Sequence, residues 1–176
     1  EYFTFFASIV AMGIIANISW LKTLFIPNKS YWSAIDIIPI IVIANLCFGI
    51  YYNLSTWYKV TDRTKIGTII SWMGALITIV LNLVLLKKFG FMVSAWTTLA
   101  AYFTMMVLSY FLGQKYYPIP YRIKNISLCL ILLVVFSYVS YKLFNANFWI
   151  GNLLFLIFTA IIVYSERRFV LSKFKR

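Results

Sequence analysis

Proton transfer and metal binding depend on carboxylates, imidazoles and thiols, and this chain has four acids, two cysteines and no histidine. The acids are Glu1, Asp36, Asp62 and Glu166, scattered so that no two form an acid–base pair or a glycosidase pair. Cys47 and Cys129 each lie inside an apolar run, without metal-ligand spacing, where a thiol acts as a small hydrophobe. No phosphate loop, dinucleotide fingerprint or paired-cysteine motif occurs, so neither a cofactor nor a metal is expected, and the chain does not read as an enzyme. The polar side chains that stand out are amides and hydroxyls spaced along apolar runs. Asn45, Gly49 and Asn53 recur every four residues, with Tyr52 and Thr56 beside them. Gly67, Ser71, Gly74, Thr78 and Asn82 follow at steps of three or four, and then Ser94, Thr97, Thr98, Ala101 and Thr104. On a helix each set falls along one face.

Small and hydroxylated residues so placed let helices approach closely and hydrogen-bond across the contact. An asparagine amide has four hydrogen-bonding sites, which a dry interface rarely satisfies, so Asn17, Asn45, Asn53 and Asn82 are the candidates for lining a hydrated path. Lys22 is the basic residue deepest in an apolar run. It could direct a cation into a lumen toward an anionic substrate, but its place near a helix end fits snorkelling to the interface better.

The elements that must position these residues are helices in a bilayer. The composition is 63% hydrophobic and 11% charged, with mean hydropathy +0.90, too little polar surface to cover a soluble globule. Six apolar runs, at about 4–26, 37–58, 66–86, 92–113, 125–144 and 148–165, are each long enough to cross hydrocarbon as a helix. None alternates as a barrel strand does. The expected fold is therefore all-α: a polytopic transmembrane bundle of about six spans in a single domain, residues 1–176. Short connections such as Pro27-Asn28-Lys29-Ser30, Lys87-Lys88-Phe89-Gly90 and Asn145-Ala146-Asn147 predict antiparallel neighbours. Asp62 or Thr64 is expected to cap the third helix, and Pro118 and Pro120 to separate the fourth from the fifth.

A net charge of +12 could suggest nucleic acid, but the basic residues sit in short runs between apolar segments, which argues against a nucleic-acid partner and for topology signals. Lys59, Arg63, Lys65, Lys115, Arg122, Lys124, Arg167, Arg168, Lys173, Lys175 and Arg176 fall on one side. They outnumber Lys22, Lys29, Lys87, Lys88 and Lys142 on the other, which predicts that both ends of the segment are cytoplasmic. Trp20, Tyr31, Trp32 and Trp149 on the outer side, and Trp57, Tyr58, Tyr116, Tyr117, Tyr121 and Tyr164 on the inner, read as interface anchors. Because Glu1 runs straight into apolar sequence without Met or a basic leader, the chain reads as a piece of a longer one.

From Tyr31 to Tyr121 the pattern resembles the C-terminal half of bacterial polysaccharide biosynthesis membrane proteins. These are the O-antigen or teichoic-acid exporter type of the multidrug, oligosaccharidyl-lipid and polysaccharide superfamily. The resemblance is carried by Tyr31 and Ala34 ahead of Ile38-Pro39, then Phe48-Gly49-Ile50-Tyr51-Tyr52-Asn53, Trp57-Tyr58-Lys59 and Thr61-Asp62-Arg63-Thr64-Lys65. It continues through Gly74-Ala75, Asn82, Phe89-Gly90, Ser94-Ala95, Thr98 and Tyr102 to Lys115-Tyr116-Tyr117-Pro118-Ile119-Pro120-Tyr121. Lys87 stands where the family has Pro, and Ser94 where it often has Gly. What the resemblance implies is the last six spans of a 12–14-span flippase in the bacterial inner (plasma) membrane. Such a protein moves an undecaprenyl-pyrophosphate-linked oligosaccharide, such as an O-antigen unit of lipopolysaccharide, toward the cell surface. Its expected partners are the lipid bilayer, the lipid-linked oligosaccharide and other polysaccharide assembly proteins. By analogy, residues 125–165 would form a groove for the lipid tail. The alternatives are an ion-coupled multidrug efflux transporter of the same superfamily, or a membrane enzyme of polysaccharide assembly. The first needs an intramembrane carboxylate, and the second needs larger loops than these.

Overall fold

A computed structural model describes the backbone of residues 2–26 and 28–174, and side chains through residue 167 except residue 33. Pro27 of the first turn, and the basic side chains Arg168, Lys173, Lys175 and Arg176 counted toward orientation, lie outside the described residues.

The described residues form helices and no strand. In chain order these are α1 (Tyr2–Ala16), α2 (Ile18–Phe25), a 3₁₀ segment (Lys29–Ile37), α3 (Ile38–Leu54), α4 (Thr56–Val60), α5 (Thr64–Phe89), α6 (Met92–Tyr116), α7 (Ile123–Tyr138), a π-helical turn (Val139–Leu143) and α8 (Phe148–Phe174). Five continuous helical stretches are long and apolar enough to cross a bilayer, and the bent pair α1–α2 makes a sixth. The protein is an all-α, multi-pass membrane protein. Helices are what a hydrocarbon solvent demands, because each satisfies its own backbone donors and acceptors.

The first apolar run is broken where a straight 4–26 helix was expected. α1 and α2 meet at 70° across Asn17. The Asn17 amide Nδ2 donates to the Gly13 carbonyl at 3.0 Å, an oxygen that also accepts the Asn17 backbone N–H at 3.2 Å, and a side chain bonded back to its own helix in this way favours a bend. At 15 residues, α1 alone rises about 22 Å, short of the roughly 30 Å hydrocarbon core.

The expected cap on α5 is absent. Arg63 holds the N-cap position with no side-chain hydrogen bond, and Asp62 instead takes a positive φ of 55° in the turn. Lys87, Lys88 and Phe89 belong to α5 rather than to a turn, and the helix ends only at Gly90. There φ is +71°, a conformation that glycine adopts without a steric penalty.

The chain divides into two compact units. One comprises Glu1–Trp32 with Arg122–Arg176, the other Ser33–Tyr121. In the first, α1 packs against both α7 and α8 around buried Met12, Ile15, Leu133 and Phe158. In the second, α6 lies between α3 and α5, so α3 packs mainly on α6 rather than on its successor in the chain. Tyr51, Ile70 and Met105 form the centre of that unit. With lipid as solvent, burial alone gives little drive for helices to associate, and close approach has to supply it. The buried alanines Ala44, Ala95 and Ala101 permit that approach.

Candidate functional site

In the unit Ser33–Tyr121, α3 presents two different faces. Ala44, Leu46, Cys47, Ile50 and Tyr51 are buried. Asn45, Tyr52 and Asn53, with Thr56 on α4, are exposed. Successive 100° steps put Asn45, Gly49, Tyr52 and Thr56 in one strip, with Asn53 at its edge and about 12 Å of rise between the two asparagines. Neither the Asn45, Asn53 nor Thr56 side chain hydrogen-bonds within the described residues. At the end of the strip the Lys59 ammonium lies 4.6 Å from the centre of the Tyr52 ring. The cationic end extends to Arg63 and Lys115, which approach the Tyr116 ring at 4.5 and 5.7 Å.

The stripe on α5 has a different use. Gly67 lies under the Tyr58 ring, and Gly74 under the Met105 side chain. Ser71 meets the Tyr51 hydroxyl at 3.1 Å, which in turn shares a 3.2 Å hydrogen bond with Tyr58. Thr78 donates to the Gly74 carbonyl, and Asn82 Nδ2 to the Thr78 carbonyl at 2.9 Å, while the buried Asn82 Oδ1 accepts nothing within the described residues. This stripe is a packing seam. The hydroxyls on α6 likewise return to their own helix: Thr97 and Thr98 donate to the Ser94 carbonyl, and Thr104 to that of Ala100.

No protein-family model, curated protein or solved structure matches this chain. Its chemistry therefore rests on the residues themselves. The five sequence-predicted positions are not gathered in one place. Asn45 and Asn53 share the outer strip of α3, Asn82 is on α5, and Asn17 and Lys22 belong to the other unit.

There Asn17 meets a residue absent from the predicted set. Asn17 Nδ2 donates to Asn152 Oδ1, and Asn152 Nδ2 donates back to Asn17 Oδ1, both at 3.2 Å. Asn152 Nδ2 also donates to the Phe148 carbonyl at 2.9 Å. Each amide thus uses both donors and one acceptor, and little capacity is left for a ligand. Beside this pair Ser19 Oγ donates to the Ala146 carbonyl. Asn152 was detectable only as a single amide inside the last apolar run, without the periodic companions that marked α3.

Lys22 lies on α2 with its ammonium 4.7 Å from the centre of the Trp32 ring, which Lys29 also approaches at 5.9 Å. The indole Nε1 donates to the Ile26 carbonyl, fixing the ring beneath the two cations. Trp57 and Tyr58, expected as interface anchors, are buried. Trp57 Nε1 donates to the Ser109 carbonyl at 3.3 Å, and its indole packs over Gly113. The first unit also holds an ion pair, Arg122 to Glu166 at 3.0 Å, with both side chains largely buried. Glu166 ends the apolar part of α8, and pairing with Arg122 offsets much of the cost of holding its carboxylate there.

Proposed function

We propose that this chain is the C-terminal part of a flippase that carries a lipid-linked oligosaccharide across the bacterial inner membrane for surface polysaccharide assembly, with both ends of the segment cytoplasmic. The observation that carries this reading is the exposed strip of Asn45 and Tyr52 on α3 and Thr56 on α4, whose amide and hydroxyl groups have no hydrogen-bond partner within the described residues. Lipid tails cannot satisfy such groups, and an intramembrane amide left facing them costs free energy. Water and sugar hydroxyls can satisfy them, since both donate and accept. Lys59 at the end of the strip adds a cation suited to a phosphate oxygen. The order of residues from Tyr31 to Tyr121 supports the same reading through its resemblance to polysaccharide exporters.

In this reading the strip shields the hydroxyls and phosphates of the substrate during the crossing, with no bond made or broken by the protein. The test is Asn45→Leu and Asn53→Leu in the full-length protein, scored as surface polysaccharide at matched expression. Export is expected to fall at least about fivefold in the double variant, the effect of losing roughly two hydrogen bonds of 0.5–1.5 kcal/mol each. Unchanged export at normal expression would refute the assignment.

A further inference from the structure

The outward face of α5 is apolar and grooved. Lys65, Thr68, Ile69, Trp72, Met73 and Leu76 line a shallow open cleft of about 530 Å³. Ile69, Trp72 and Leu76 stand 59%, 74% and 61% exposed, so within the described residues nothing covers them. From Lys65 to Leu76 the cleft runs twelve residues along the helix, about 16 Å of rise, which is half of the roughly 30 Å hydrocarbon thickness. A groove of that depth matches a single leaflet. Its apolar wall gives way to charge at one end only. Lys65 lies at that mouth and makes no ion pair within the described residues, and Arg63 and Lys115 lie at the same end of the unit, drawn together on the Tyr116 ring. Asp62 is the one acid among residues 59–65.

We propose that this groove binds an anionic glycerophospholipid, with an acyl chain along Ile69, Trp72 and Leu76 and the headgroup phosphate at Lys65. Two features select this occupant. The depth equals that of one leaflet, and the positive mouth complements a headgroup of net negative charge, which a zwitterionic lipid lacks because its own cation balances the phosphate. The site lies on a different helix from the polar strip of α3 and does not depend on the transport reading.

Native mass spectrometry of the full chain, released from detergent in equimolar phosphatidylglycerol and phosphatidylcholine of the same acyl chains, tests this directly. Retention of phosphatidylglycerol is expected to exceed that of phosphatidylcholine about fivefold. Lys65→Glu should bring the ratio to about one, whereas Lys87→Glu, the same charge change at the far end of α5, should leave it. Brominated phosphatidylglycerol should quench the tryptophan emission more than brominated phosphatidylcholine, and Trp72→Phe should remove that difference. Equal retention of the two lipids, equal loss in both lysine variants, or quenching unaffected by Trp72→Phe would overturn the proposal. So would a lipid-free dimer in the same spectra, since it would put a second copy of the chain on this face.

Discussion

Asn17 and Asn152 in one unit, and Asn45 and Asn53 in the other, place the same side chain in the same kind of apolar sequence. The first two exchange reciprocal amide bonds and complete their donor sets on nearby carbonyls. The second two face outward with no such partner within the described residues. An intramembrane asparagine therefore says that something polar must be met, and the structure says whether the protein itself supplies it. Where it does, the amide is a staple between helices. Where it does not, the amide is available to water or to a substrate.

That contrast can be broken in three ways, taken from the largest effect down. Gly151 lets α8 approach the bend beside Asn17, since a Cβ there would stand 2.7 Å from the Ala16 carbonyl oxygen. Gly151→Leu is expected to lower stability by about 3 kcal/mol, as overpacking against rigid backbone does, measured by unfolding in mixed micelles. Next, Asn17→Leu and Asn152→Leu should each destabilise by about 1 kcal/mol, with a coupling energy of similar size in the double-mutant cycle. Additive losses would show that the two amides do not act as a pair. The smallest effect is expected on α3, where Asn45→Leu and Asn53→Leu should alter stability by less than about 0.5 kcal/mol even as export falls. If they destabilise as much as Asn17→Leu does, the strip is a packing surface and the distinction between the two regions fails.

The apolar runs made the helices legible, because bilayer thickness sets a length that sequence hydropathy reports directly. The glycine and serine stripe on α5 was legible as a seam, since small residues at helical spacing have that steric meaning in any membrane bundle. The bend at Asn17 was not. It depends on an amide bonded back to its own helix and on a partner 135 residues away, neither of which shows as periodicity. The order of packing in the second unit was hidden for a related reason: the polar stripes identify faces, not neighbours, and α6 comes between two helices that are consecutive in the chain apart from the short α4. Asp62 misled as a cap because the turn rotates it into a left-handed conformation. Trp57 and Tyr58 misled as anchors because an aromatic ring near a span end can serve equally to fill the space above a glycine.

The first unit is assembled from the two ends of the segment, with residues 33–121 made in between. At about 5–20 residues per second, the 135 residues separating Asn17 from Asn152 take roughly 7–27 s to synthesise. During that interval the bent first span is already emerging while the amide that will satisfy Asn17 does not yet exist. A newborn chain must therefore shelter this group by other means, in the insertion machinery or at the water-facing edge of the bilayer, and a ribosome stalled before α8 would leave it waiting.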